Sequence, residues 1–280
     1  MDLCVSKENR FAMTEKFLET ENGKIYYWTE EIKLGAPTAV FLHGLSSNHT
    51  TWDETLSLYR NEGFNLFVVD LRGHGLSDKT RKRNLYRIPV MRNDVVNIVK
   101  SEKLSKVIIV GYSYGGYIGI DMSISNPEMV ENLVLISANH TSQFIYHWFG
   151  FITYPLQFFT NLLGWLFVWQ SRKKYPYFNP KTAVGYWKST FSGLATMPIS
   201  INLWMLSEVF GMDYRNEISR IKARTLIVRG AGDKYLVDAE VNDMHRKIIN
   251  SEVVTIGEGH YIASHFQTDT AKAVINFLKS

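Results

Sequence analysis

The chain of 280 residues is nearly without cysteine. Cys4 is the only one, so no internal disulfide can form and nothing points to an oxidising compartment. An excess of charge is missing too: 31 basic against 27 acidic residues leave +4, too little to argue for a nucleic-acid partner. The basic run Lys79–Arg83 reads as a solvated loop rather than a phosphate-binding surface. There is no internal repeat, no low-complexity linker and no continuous apolar N-terminal segment of the signal-peptide kind. Without such a signal, the glycosylation triplets at Asn48 and Asn139 carry little weight. The expectation is a cytoplasmic protein, with peripheral membrane contact left open. Cofactor motifs are absent as well. The glycines of "GYSYGG" and "GHGLSD" lack dinucleotide spacing, no phosphate-loop lysine follows them, and no histidines have metal-ligand spacing. We therefore expect no cofactor and no metal.

What the sequence does have is alternation. Short apolar runs recur at 24–28, 38–42, 65–70, 106–110, 133–137, 225–229 and 252–256, the form taken by strands buried on both faces. Between most of them lie stretches of helical spacing, near 50–61, 89–103, 114–126, 238–248 and 265–278. Strand–helix alternation predicts an α/β fold, with a mostly parallel central sheet and helices on both faces. In such sheets reactive groups collect beyond the carboxyl ends of the strands.

The rhythm stops between Asn139 and Asp213, where aromatic residues concentrate. His147–Trp169 contains no Asp, Glu, Lys or Arg. Its length alone would suit a membrane span; Gly150, Pro155, Gly164, Gln157 and Asn161 argue instead for a helical cap over a pocket. A cap resting on a membrane surface, with Arg172, Lys173 and Lys174 beside anionic headgroups, is the third reading. The expected organisation is a core of residues 1–138 and 219–280 with a helical cap insertion at 139–218.

Ser113 stands between the strand at 106–110 and a predicted helix, within Gly111-Tyr-Ser-Tyr-Gly-Gly116. Strand, tight turn and helix form the setting of a nucleophile elbow, and the flanking glycines leave room for the bend. A serine hydroxyl needs a base, itself oriented by a carboxylate. His260 follows the last strand in "IGEGHYIASH", and Asp233 follows the strand at 225–229 in "RGAGDKYLV". Asp70 also ends a strand, but "DLRGHG" reads as a structural turn beside the site; Asn139, after the strand at 133–137, cannot be an anion. Ser113, Asp233, His260 is then the chain order of the catalytic groups. The expected oxyanion donors are the backbone N–H groups of Tyr114, directly after the serine, and of Leu45 in "HGLSS". His43 reads as a support for that loop.

This ordered set resembles the alpha/beta-hydrolase superfamily, in its serine esterase and lipase-like branch. The resemblance rests on His43-Gly44-Leu45, on Asp70 to Ser77, on Gly111 to Gly116, on Gly232-Asp233 and on Gly257 to His260. It covers about 38–138 and 219–280. It implies a serine nucleophile at Ser113, acid Asp233, base His260, and amides of Leu45 and Tyr114 as the oxyanion hole. Relatives that open epoxides or remove halides use a carboxylate nucleophile, which Ser113 does not provide. Perhydrolase-like relatives often carry an aromatic residue in the oxyanion loop, unlike Leu45. The resemblance gives the reaction class and not the substrate. The expected reaction is cleavage of carboxylic esters of apolar acyl groups through an acyl-enzyme. The uncharged 147–169 stretch tilts the substrate toward lipid-like esters such as monoacylglycerols, and lactones and carbon–carbon bond cleavage are alternatives within the same chemistry. A ligand receptor that keeps the fold is the alternative outside it.

Overall fold

A computed structural model describes residues 13–30, 32–142, 144–169, 195–265 and 267–280. Cys4 and Arg172, Lys173 and Lys174 lie outside them. Among the described residues eight strands form one sheet in the order β1-β2-β4-β3-β5-β6-β7-β8. They are β1 (Thr14–Thr20), β2 (Gly23–Thr29), β3 (Thr38–Leu42), β4 (Asn65–Val69), β5 (Val107–Tyr112), β6 (Val130–Ile136), β7 (Arg224–Ala231) and β8 (Ser251–Glu258). The hairpin of β1 and β2 joins antiparallel to β4, and every later pairing is parallel. The predicted mostly parallel sheet is therefore present, with one antiparallel edge.

The central strands β3, β4 and β5 are buried at every residue, so the sheet needs a helical layer on each side. Two hydrophobic clusters meet that need. Val40, Leu42, Ile109 and Leu133 face one of them, together with helix α2 (Ile88–Ser101) and helix α3 (Tyr114–Ser125). Ala39, Phe41, Ile108 and Val110 face the other, with helix α1 (Leu56–Asn61) and the C-terminal helices. Alternate residues of one strand thus feed opposite cores, as the two-residue period of a strand requires.

Two expectations shift. The helix expected over 50–61 is α1 alone, preceded by a short 3-10 turn at His49–Trp52 whose first amides Asn48 caps. Strand β1 is absent from the sequence reading. The edge strand "TEKFLET" carries alternating charges and buries no residue fully, so it lacks the apolar run by which its neighbours are recognised.

After β6 the chain leaves the sheet. Helix α4 (Thr153–Leu166) and helix α5 (Ile199–Gly211) pack on each other above the carboxyl ends of the strands. Thr141 forms an isolated antiparallel bridge with Asp213, and the Tyr214 amide donates to the His140 carbonyl at 2.9 Å. The two ends of the excursion are thereby tied together before the chain re-enters as β7, helix α6 (Asp238–Lys247), β8, helix α7 (Ile262–His265) and helix α8 (Gln267–Lys279). No helix among the described residues is long and apolar enough to cross a membrane.

At the junction of β5 and α3, backbone packs directly on backbone. A methyl group added to Gly115 would overlap the backbone carbonyl of Leu42 on β3, and one on Gly111 would sit 2.6 Å from Cα of Gly116. Neither obstacle is a movable side chain. We predict that Gly115→Ala costs about 3 kcal/mol or more, roughly 5–10 °C in melting temperature for a chain of this size. Calorimetry of the two proteins measures it, and an unchanged melting temperature contradicts the packing described.

Candidate active site

β5 delivers Ser113 directly into the first turn of α3, with φ 47° and ψ −110°. A left-handed φ at a residue with a side chain costs on the order of 1–3 kcal/mol. It is held in place by hydrogen bonds on both sides: the Ser113 amide donates to Ile136 O at 2.8 Å, and the Gly116 amide donates to Ser113 O at 2.9 Å. The bend turns the hydroxyl out of the sheet toward the loops from the other strands.

Two of those loops meet it. His260 lies just past β8, and its Nε2 is 3.3 Å from Ser113 Oγ. His260 Nδ1 is 2.9 Å from Oδ2 of Asp233, in the loop after β7. Because a carboxylate can only accept, Nδ1 carries the proton and Nε2 is left to accept from the serine. Asp233 is 4% exposed, and its other oxygen takes the amides of Tyr235 (2.8 Å) and Leu236 (3.1 Å). Burial pushes this carboxyl up, but the hydrogen bond and charge of His260 and the two amides outweigh it, leaving it below its ordinary value. The group is therefore an anion at neutral pH. All three residues chosen from sequence come together, in the order hydroxyl, imidazole, carboxylate.

Leu45 and Tyr114 line the same cavity of about 250 Å³ as Ser113 and His260. Gly44 brings the first of these loops close: a Cβ there would lie 3.2 Å from the Tyr112 ring and 3.6 Å from Ser113 Cβ. The Tyr114 amide belongs to the first turn of α3, where N–H groups lack intrahelical acceptors. The rest of the wall is Tyr112, Tyr117, Asn139, Leu206, Val209, Tyr235 and Tyr261, so α5 closes the cavity from above. The Tyr235 ring meets His260 edge-on, with centroids 5.0 Å apart.

Several buried groups hold these loops, and sequence reasoning missed most of them. The amide of Leu71 donates to His43 Nε2 (3.0 Å), and the amide of Ser46 donates to His74 Nε2 (3.1 Å). Each ring has its Nδ1 beside a carbonyl, Gly44 O for His43 and Arg72 O for His74. Both imidazoles are thus fixed as neutral tautomers. A second proton would set an N–H against an amide N–H. Asp70 ties the same loops, accepting from the His49 amide and ring and from the Leu76 amide. The expectations of a structural turn at Asp70 and a supporting role for His43 agree with these contacts. His74 lies in "DLRGHG", 28 residues from Ser46, and its contact with "HGLSS" is visible only in three dimensions.

A further cluster surrounds Asn139. Its amide nitrogen donates to Tyr235 O at 2.6 Å and to Glu240 Oε2 at 2.8 Å. Glu240 also accepts the His140 amide (3.2 Å), while His140 Nε2 meets Asp243 Oδ2 at 3.0 Å. The start of the excursion, the Asp233 loop and α6 are joined there. No sequence signal singles out Glu240 or Asp243 within the predicted helix at 238–248.

The family comparison reaches the serine bend and stops short of Asp233 and His260. A family model described as alpha/beta hydrolase fold matches residues 37–170, which carry β3 to α4 and the serine bend. Over that stretch, just under half of its length, the chain is similar to the alpha/beta hydrolases. Among curated relatives, mouse "Epoxide hydrolase 4" is 26% identical over 147 residues, 52% of this chain and 40% of that protein. The chain spans 34% to 40% of the length of the first four curated relatives it matches. A "Putative esterase/lipase" of Haemophilus influenzae is 24% identical over 88% of this chain and 84% of its own. Among solved structures, an "Esterase (EaEST)" from Exiguobacterium antarcticum superposes with a TM-score of 0.74 at 21% identity, covering 95% of this chain and 100% of that one. At that identity the likeness is one of fold.

The neutral histidines generate a pH prediction. Burial drives His43 down from 6.5 to about 4, against the pull of Asp70 and the Gly44 carbonyl, and burial drives His74 well below its ordinary value. At these two rings the unfolded chain binds more protons than the folded one between pH 6.5 and 4. The stability they contribute is therefore full above that window and is lost as pH falls through it; Asp53, which burial raises to about 6, works in the opposite sense. For His43 alone the loss is about 3 kcal/mol, at ~1.36 kcal/mol per pH unit. The urea midpoint should fall more steeply between pH 7, 5.5 and 4.5 in the parent than in His43→Gln, and an equal slope in the two contradicts the assignment.

Proposed function

We propose that this protein is a serine alpha/beta hydrolase that cleaves carboxylic esters of apolar acyl groups through an acyl-enzyme. The observation that carries the reading is the continuous contact from Ser113 Oγ through His260 to Asp233. At 3.3 Å the first link is long, as such contacts commonly are before substrate binds. Binding needs no base behind a hydroxyl and no anion behind the base; acyl transfer needs both.

In this mechanism His260 Nε2 takes the proton as Ser113 Oγ attacks the ester carbonyl carbon. Asp233 stabilises the imidazolium that forms. The amides of Leu45 and Tyr114 hold the developing oxyanion, a contribution of ~10²–10³ in rate per donor. Collapse of the tetrahedral species expels the alcohol, which takes its proton from His260 and leaves the acyl group on Ser113. Water then attacks with His260 again as base, releasing the acid and restoring the serine. Residues 139–218 act as the cap, and α5 excludes bulk water from the cavity.

The elbow bears a hydroxyl rather than a carboxylate, so the epoxide opening named in the mouse relative is not carried over to this chain. The cavity of about 250 Å³ falls just below the ~300–1,000 Å³ of pockets for drug-sized ligands, which favours short to medium acyl groups. A lactone of that size would be opened by the same steps.

Ser113→Ala should lower turnover of aryl esters by about 10⁴- to 10⁶-fold, and Asp233→Asn by about 10⁴-fold through loss of the Nδ1–H tautomer. A Ser113→Ala protein with unchanged turnover overturns the scheme. Leu206, half-buried on α5 and lining the cavity, limits acyl length in this reading. Leu206→Ala should move the optimum of an aryl-ester series toward longer chains with little change at acetate.

A further inference from the structure

Helix α4 is built inside out. The residues it turns toward the protein are small or polar. Thr153, Thr160 and Gly164 are buried, Gly164 lies against the Trp204 indole on α5, and Gln157 O accepts from Ser207. The outward face holds Tyr154 (65% exposed), Phe158 (62%), Phe159, Leu162, Trp165 and Leu166 (60%). Trp148 and Phe151 extend it before the helix, at 89% and 69%. A surface helix ordinarily buries its apolar stripe. A contiguous exposed aromatic patch marks an interaction surface.

The neighbouring charges identify the partner. Lys79–Arg92 contains Lys79, Arg81, Lys82, Arg83, Arg87 and Arg92 and no acidic residue. Arg83 fastens this stretch to the flank of α4, donating from Nε to Asn161 Oδ1 at 2.5 Å and from its second arm to Glu208 on α5 at 3.3 Å. Arg81, Lys82 and Arg87 are exposed. Arg83 and Arg92 pair with Glu208 and Asp121. An apolar, aromatic face bordered by the exposed cations Arg81, Lys82 and Arg87 suits an interface of hydrocarbon and negative headgroups. At ~1.5 Å per residue the 14 residues of α4 span about 21 Å, short of the ~30 Å hydrocarbon core. The helix therefore lies in the plane of the surface.

We propose that the outward face of α4, with Trp148 and Phe151 and the basic stretch at 79–92, binds the surface of a bilayer containing anionic phospholipid. α5, which α4 rests on, lines the Ser113 cavity, so docking holds the cavity's outer wall next to the lipid phase. The binding itself does not depend on the ester-hydrolase reading.

The test uses the full chain as Ser113→Ala, so that turnover plays no part, in flotation with vesicles of phosphatidylcholine alone or with 3:7 phosphatidylglycerol (roughly 30%, chosen to give a negative surface). We expect flotation with the anionic vesicles and much less with the neutral ones, weakening as salt screens the surface. Phe158→Asp with Leu162→Asp should lower vesicle affinity at least about tenfold. Lys82→Glu with Arg87→Glu should lower it about fivefold or more per charge. Both pairs are exposed, so melting temperatures should stay at the parent value, and a parent-like melt with parent-like flotation overturns the proposal. So does a protein that ignores both vesicles, including one that light scattering shows to be a dimer dispersed by Phe158→Asp. Equal binding to neutral and anionic vesicles overturns it as well.

Discussion

The backbone bend at Ser113 is the constraint around which the rest of the structure is arranged. Its left-handed φ is unfavourable for a residue with a side chain, and it survives because both neighbours allow it. The glycines at 111, 115 and 116 let β3, β5 and α3 approach without side chains between them. The hydrogen bond from the Ser113 amide to Ile136 O fixes the bend to the end of β6. From that point β6 leads out into the helical excursion, and β7 and β8 bring the carboxylate and imidazole loops alongside. A backbone distortion of a few kcal/mol is thus sustained by a parallel sheet whose central strands are entirely buried.

Electrostatic roles are divided among the histidines by where each sits. His43 and His74 are enclosed, each ring accepting an amide through one nitrogen and facing a carbonyl with the other. That arrangement makes them rigid spacers with no proton to exchange. His260 faces the cavity, with Asp233 on one side and the serine hydroxyl on the other. Burial and hydrogen-bond geometry, rather than residue type, separate the two enclosed histidines from the one set beside the Ser113 hydroxyl.

The sheet, its order of elements and the three central site residues were legible because each depends on local signals. A buried parallel strand is a continuous apolar run, and a group just past such a strand lands on the reactive rim. Ser113, Asp233 and His260 all satisfy that rule. Strand β1 escaped notice because an exposed edge needs no apolar run. The contacts of Asn139, His140, Glu240 and Asp243 could not be read because they join segments about 100 residues apart. The inverted polarity of α4 was hidden for another reason. With so few polar residues in 147–169, the pattern reveals a helix but not which side faces inward, and the packing of Gly164 on Trp204 decides it.

The excursion above the cavity leaves and returns at a single pair of residues, Thr141 and Asp213. For the sheet, whatever lies between them counts as one closed loop. The entropy of closing a loop grows only with the logarithm of its length, by about 0.6 kcal/mol per doubling. A change of length between them therefore costs the sheet little in closure entropy. Ile201, Trp204 and Met205 of α5, however, are buried in the same core cluster as Val40 and Tyr86, so the ceiling of the cavity can be rewritten only outside that buried face.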